Sequence, residues 1–198
     1  MMQPDLLVFA TRYDDVTQRT YSIAIRLLAD AHKDGISTVS LLETAAVERE
    51  LVAAAARGPH VIALYSHGDL EGRVLTHDQT PCWDSERVPD LSGIAVFAHA
   101  CRAICWLKSE ATRHRARLLV GYECDLKTPA NGSERFWEIY AETHSFVPRH
   151  LARRACRDWI RDQFYHLCTT RFHELNKQNA DLMELIAIEQ SRDEIVFA

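Results

Sequence analysis

Residues 60–68, HVIALYSHG, and residues 94–101, IAVFAHAC, decide how this chain folds. Each is a short, continuously apolar run, the pattern of a strand covered on both faces rather than one with a wet side. Each then stops abruptly on residues able to do chemistry: His67-Gly68 in the first, His99-Ala100-Cys101 in the second. Leu6–Ala10 (LLVFA) and Arg117–Tyr122 (RLLVGY) are runs of the same kind, and a weaker strand is expected near Ser37–Ser40.

Between these runs the apolar period lengthens to that of a helix. Asp14 or Asp15 is positioned to cap a helix carrying Tyr21, Ala24, Ile25 and Leu28, with Gly35 at its exit. Ser40 and Glu43 have capping-box spacing before Val47, Leu51, Ala54 and Ala55, and Gly58-Pro59 ends that helix. Residues 71–93 read as a small hairpin and a short helical turn, and a helix is expected from Trp106 to Arg115. From about residue 131 the chain reads as mostly helical. Strands alternating with helices define an α/β protein with a mainly parallel sheet of about five to six strands flanked by helices. No repeat or Gly/Ser linker divides it, so residues 1–198 form one domain.

Composition agrees with a packed core and excludes several functions. Of 198 residues 47% are hydrophobic and 26% charged, with only 7 Gly and 6 Pro, which is not a disordered or fibrous chain. No apolar run approaches the roughly 20 residues of a membrane span. The start, MMQPDLLVFATRYDD, has no basic segment before its short apolar run, so secretion is not expected. The six cysteines therefore read as reduced thiols of a cytoplasmic protein. A net charge of -5 argues against a general nucleic-acid binder.

In open α/β sheets ligands bind beyond the carboxyl ends of the strands, where His67 and Cys101 fall. If their strands are neighbours, about 4.8 Å separates the two chains. A thiol near pKa 8.5 needs a base to become a nucleophile at neutral pH, and an imidazole serves. Gly68 leaves its amide open to a substrate carbonyl, and the Cys101 amide supplies a second oxyanion donor. Together these residues make a thiol acyl-transfer site.

YSHG after one strand and FAHACRA after the next resemble the paired signatures of caspase-like cysteine peptidases, the clan of caspases, metacaspases, separases, gingipains and bacterial CHAT-domain proteins. The resemblance covers Leu6 to Asp125, with 33 residues between the two motif residues. It implies a three-layer caspase-like sandwich and a thiol protease with His67 as general base, Cys101 as nucleophile, and the Gly68 and Cys101 amides as oxyanion donors. No cofactor or metal is implied, and a dyad suffices without an orienting acid. Many relatives carry Asp or Gln where this chain has His99, two residues before the nucleophile. Acid-specific relatives use an arginine after the first strand, where Arg12 stands; basic-specific ones use acidic residues after the fifth, where Glu123 and Asp125 stand. The expectation taken is a pocket containing Asp125 and a basic residue before the cut, with an Arg12–Asp125 ion pair, or plain surface exposure of each, as the alternative. Compact prokaryotic relatives are often stress or antiviral-defence effectors that cut a partner such as a gasdermin-like pore former. The resemblance thus implies a protein or peptide substrate and a regulatory partner.

Other motifs point elsewhere. His99-x-Cys101-x3-Cys105 has zinc-type residues but no second ligand pair, and His166, Cys168 and His173 do not share one helical face. Serine-hydrolase, phosphate-loop and dinucleotide glycine patterns are missing from the sequence. Arg149, Arg153, Arg154, Arg157 and Arg161 are expected to stripe one helix over 149–161, able to hold nucleic acid or an acidic partner. A catalytically silent scaffold of the same fold is the remaining alternative.

Overall fold

The computed structural model describes residues 3–83, 88–129 and 131–198, with the backbone but not the side chains of 110–114. Its order is β1 (Leu6–Ala10), α1 (Asp15–Lys33), β2 (Thr38–Leu42), α2 (Glu48–Ala55), β3 (Val61–Tyr65), β4 (Ala95–His99), α3 (Ala103–His114), β5 (Leu118–Tyr122), α4 (Glu134–Ala152), α5 (Arg157–Lys177), α6 (Leu182–Asp193) and β6 (Ile195–Phe197). The strands make one sheet in the order β2-β1-β3-β4-β5-β6. The first five are parallel, and β6 is antiparallel to β5. The expected α/β class with a mainly parallel sheet is therefore the fold observed.

Every residue of β1, β3, β4 and β5 is buried, which explains their continuous apolar runs. Alternate side chains feed two cores. Leu6, Val8, Val61, Ala63, Tyr65, Ala95 and Phe97 pack under α1 and α4. Leu7, Phe9, Ile62, Leu64, Val96 and Ala98 face the side covered by α2 and α3. Helices on both faces of the sheet give three layers.

α1 begins at a reciprocal capping box: the Thr17 amide donates to Asp14 Oδ1 (2.8 Å) while the Asp14 amide donates to Thr17 Oγ1 (3.0 Å). Its buried face is Ile23, Ala24, Leu27 and Ala31, and Ile25 is exposed, so the expected stripe was rotated. The Ser40–Glu43 capping box does not form. Ser40, Leu41 and Leu42 instead pair with Val8, Phe9 and Ala10, and α2 starts only at Glu48 after a 3-10 turn. Sheet pairing claims the backbone that the local signal assigned to a helix start.

The hairpin expected in 71–93 is present as isolated bridges joining Gly68 to Val74 and Leu75 to Pro81. Among the described residues of that segment there is no helix; residues 84–87 lie outside them. β6, from the chain's end, is the added sixth strand. No helix among the described residues is long and apolar enough to cross a membrane. All six cysteines are free.

The arginine stripe is not one helix. α4 ends at Ala152 and α5 starts at Arg157, so Arg153 and Arg154 lie in the turn between them, Arg154 at φ +59. Arg149 and Arg153 face Asp34, at 3.6 and 3.4 Å, and Arg157 and Arg161 face Asp158. Four of the five arginines thus face carboxylates of this chain, and the turn between α4 and α5 breaks the stripe.

Candidate active site

The β3–β4 register pairs Tyr65 with His99, and the Ser66 amide continues the ladder to the His99 carbonyl. His67 and Cys101 therefore stand two residues beyond one matched pair, at equivalent positions on neighbouring strand ends. Strand alternation carries Tyr65, Phe97 and His99 to the face covered by α1, and His67 and Cys101 continue the same phase. Both line one cleft of about 40 Å³ with Val16 and Thr20 of α1, Ser66, His99, Ala100, Leu126 and Thr128. The cleft lies beyond the carboxyl ends of β3, β4 and β5, under α1, on the side of the sheet where ligands bind in such folds.

Two glycines permit the close approach. A Cβ on Gly68 would lie 1.9 Å from the Cys101 carbonyl oxygen. Gly72, at φ +80, would put a Cβ 2.3 Å from the Arg102 oxygen. The 68–74 hairpin is thus seated directly on the backbone after β4. Gly68 faces Val74 in an antiparallel bridge whose hydrogen bonds come from the flanking residues, Leu75 N–H to His67 O and Asp69 N–H to Arg73 O. The Gly68 amide consequently points away from the hairpin. Among the described residues neither it nor the Cys101 amide donates to a backbone carbonyl.

Cys101 is held from several sides. The Leu126 amide donates to its Sγ (3.3 Å), and the Arg102 amide donates to the Cys124 carbonyl (3.0 Å). Arg102 adopts φ +55 just before α3, a conformation costly for a non-glycine residue. Burial pushes the Cys101 thiol above its usual pKa, partly opposed by the Leu126 bond. It therefore rests as a thiol and must lose its proton to a base at the moment of attack.

Sequence reasoning missed one residue, Asp14. Its Oδ2 lies 2.9 Å from His67 Nε2 while its Oδ1 caps α1. The expectation of a dyad without an acid is corrected to a His67–Asp14 pair. Burial opposes ionisation of Asp14, but the Thr17 amide and then the His67 bond outweigh it, so its carboxyl lies below the ordinary range. A carboxylate accepting from Nε2–H leaves Nδ1 as the ring's free lone pair. The sequence carried only half of the signal: Asp14 closely follows β1, while the placing of β1 beside β3, with Ala10 opposite Tyr65, comes from the fold.

Arg12, Glu123 and Asp125 are not among the residues lining this cleft, although Asp125 is near enough to act on the Cys101 thiol. Arg12 binds Glu43 (3.0 Å) and Gln18, and stands 5.4 Å over the Tyr21 ring. Asp125 binds Arg102 (2.5 Å), and Glu123 binds Lys108. The Arg12–Asp125 pair is not formed: Arg12 meets Glu43 and Asp125 meets Arg102, all four side chains exposed at the surface. His99 does line the cleft, but from within the core: it is 1% exposed and packed among Tyr65, Tyr122, Tyr140 and His144. Among the described residues no group of three or more His, Cys, Asp and Glu is placed to hold a metal ion.

Compared with known proteins, the sequence matches no family model and no curated protein.

Proposed function

We propose that this protein is a cytoplasmic cysteine endopeptidase of caspase-like type, cutting a protein substrate through Cys101 and His67. The observation that carries the reading is the occurrence of those two residues at matched ends of adjacent parallel strands, lining one cleft, with Asp14 on Nε2 of the imidazole.

His67 takes the Cys101 proton as the thiolate attacks the scissile carbonyl, a role worth roughly 100- to 10,000-fold. The oxyanion meets the Gly68 and Cys101 amides. Collapse of the tetrahedral intermediate breaks the C–N bond, and His67 gives the proton to the leaving amine. A thioester remains on Cys101. Water then attacks it with His67 again as base, releasing the carboxylate product and restoring the thiol. Stress or antiviral-defence action on a partner such as a gasdermin-like protein is the biological setting this reading suggests.

The test is labelling with a peptidyl electrophile, read by intact mass. Cys101 should react far faster than exposed Cys105 and Cys156, and His67→Ala should abolish that preference. Cys101→Ala and His67→Ala should abolish proteolysis and remain folded, while Cys105→Ala keeps activity. A Cys101→Ala protein that still cuts sinks the assignment. Uniformly sluggish thiols would instead favour the silent scaffold.

A further inference from the structure

We infer that Cys101 and Cys124 close into a reversible disulfide when the surrounding thiol pool is oxidised, so that Cys124 is a resolving thiol able to switch the proposed nucleophile off. The pairing is read from the fold; its bearing on activity rests on the peptidase reading.

Register is the first argument. β4 and β5 pair Ala95 with Leu118, Val96 with Leu119 and Phe97 with Val120, and the same register carried forward sets Ala98 against Gly121, His99 against Tyr122 and Cys101 against Cys124. Three contacts show that it is carried forward. A Cβ on Gly121 would lie 3.6 Å from that of Ala98. The His99 and Tyr122 rings meet with centroids 6.1 Å apart. The Arg102 amide donates to the Cys124 carbonyl (3.0 Å), just as the Ser66 amide donates to His99 one residue past the Tyr65–His99 pair. Opposed residues of paired strands stand about 4.8 Å apart, inside the roughly 4.4–6.8 Å between Cα atoms that a disulfide spans. Both side chains also belong to one face of the sheet: Cys101 lines the cleft with His99, and Cys124 packs on the core that holds Val120 and Tyr122.

The surroundings of the two sulfurs are the second. In the reduced protein each has its own donor, the Leu126 amide on Cys101 Sγ and Gln190 Nε2 on Cys124 Sγ, both at 3.3 Å. Thiol sulfur is a weak acceptor, so little holds either side chain back from its neighbour. Burial raises both thiols above their usual range; Asp125 adds to this at Cys101 and Glu194 at Cys124, while Arg102 opposes it at Cys101. Both rest protonated, so exchange begins when His67 takes the Cys101 proton, the same transfer that hydrolysis requires. The other thiols are less well placed. Cys82 and Cys168 are buried, Cys156 stands at the start of α5, and Cys105 is exposed on α3 with its Sγ 3.7 Å from the Glu123 carbonyl.

The oxidant is a low-molecular-weight disulfide such as oxidised glutathione. The Cys101 thiolate attacks one of its sulfurs, that S–S bond breaks, and one glutathione leaves as a thiol with the proton held by His67. Cys124, its proton lost to water, then attacks Cys101 Sγ; the mixed S–S bond breaks, and the second glutathione leaves as a thiolate and takes up a proton. Two protein thiols are oxidised and one glutathione disulfide is reduced to two thiols. Cytosolic disulfides are mostly transient, redox-sensing ones of this kind.

The experiment treats the reduced protein with oxidised glutathione and follows intact mass, the peptide map and labelling of Cys101 by a peptidyl electrophile. Wild type should lose two hydrogens, yield a Cys101–Cys124 cross-linked peptide, lose Cys101 labelling, and regain it with dithiothreitol. Cys124→Ser and Cys124→Ala should both stop at one glutathionyl adduct on Cys101 and, when reduced, label at the wild-type rate. Cys105→Ser should behave as wild type throughout. A wild-type protein that halts at the adduct or links Cys105 to either partner overturns the inference, as does a Cys124 variant that still loses two hydrogens; Cys101 then remains the nucleophile. A Cys101–Cys124 bond in a protein whose reduced Cys101 is no more reactive to the electrophile than Cys105 leaves the disulfide standing and overturns the peptidase reading instead.

Discussion

Gly68→Ala is the sharpest probe of the proposed geometry, because one added carbon meets a backbone oxygen. The new Cβ would stand 1.9 Å from the Cys101 oxygen and 2.9 Å from its carbonyl carbon, and real Cβ contacts essentially never fall below 3.0 Å. The segment bearing His67 and the one bearing Cys101 must part by about 1.1 Å to reach even that limit. Neither side is a flexible side chain: one is the seat of the 68–74 hairpin, the other the β4–α3 connection. A misplacement near 1 Å at a reacting centre costs about 100-fold in rate. Overpacking of this kind costs about 1–3 kcal/mol in stability. For a chain of this length that lowers Tm by about 2–12 °C. Gly93→Ala is the control: Gly93 has positive φ (+76), which Gly68 does not, and nothing within 4 Å of its Cβ. It carries the backbone strain alone, and its Cys101 should react like the wild type. The assay is electrophile labelling of Cys101 together with thermal unfolding. A Gly68→Ala protein with wild-type labelling rate and Tm would show that the two strand ends are not in contact, and the mechanism built on that contact would fall with it.

Asp14→Asn separates the two roles of Asp14: Asn caps a helix as well as Asp, so α1 survives, but the charged bond to His67 is lost. Turnover should fall about 10- to 100-fold with KM and Tm nearly unchanged, the worth of one charge-assisted hydrogen bond; a parallel loss of Tm would make Asp14 a structural cap only. Acid should destabilise the fold before carboxylates titrate. Burial pushes His144 down to about 4 and depresses His99 as well, while the unfolded chain takes up protons near 6.5. Between those values only the unfolded state binds the proton, so stability falls as pH drops from 6.5 towards 4 and levels off below for this group, by about 3 kcal/mol for His144. The depressed carboxyls of Asp5, Asp30 and Asp69 then remove further stability as pH falls through their folded values. Urea midpoints at pH 7.5 and 4.5 check this, and a flat profile, or one unaltered in His144→Phe, contradicts it.

The central strands were legible because burial on both faces writes itself as unbroken apolar runs. Val61–Tyr65 lies within the run expected for it, Ala95–His99 is shifted by one residue from Ile94–Ala98, and the part after 131 is mostly helical as expected. The catalytic candidates were legible for the same reason, since chemistry-bearing residues directly after such runs must emerge at strand ends. β2 and the start of α2 were misplaced because Ser40 and Glu43 carry a local helix signal that pairing with β1 overrides. β6 was hidden in a three-residue segment whose strand character exists only opposite β5.

The order of residues along the chain settled which groups end up at strand tips, because the two-residue alternation and the burial of each run are local properties of sequence. Which tips are neighbours, and which charges meet, was decided only by the folded topology. Placing β1 next to β3 brings Asp14 to His67, although 53 residues separate them. Packing the hairpin against the β4–α3 connection makes Gly68 a necessity. Asp125 and Glu123, to which the family resemblance gave the pocket, meet Arg102 and Lys108, because which charges pair is settled by proximity in three dimensions.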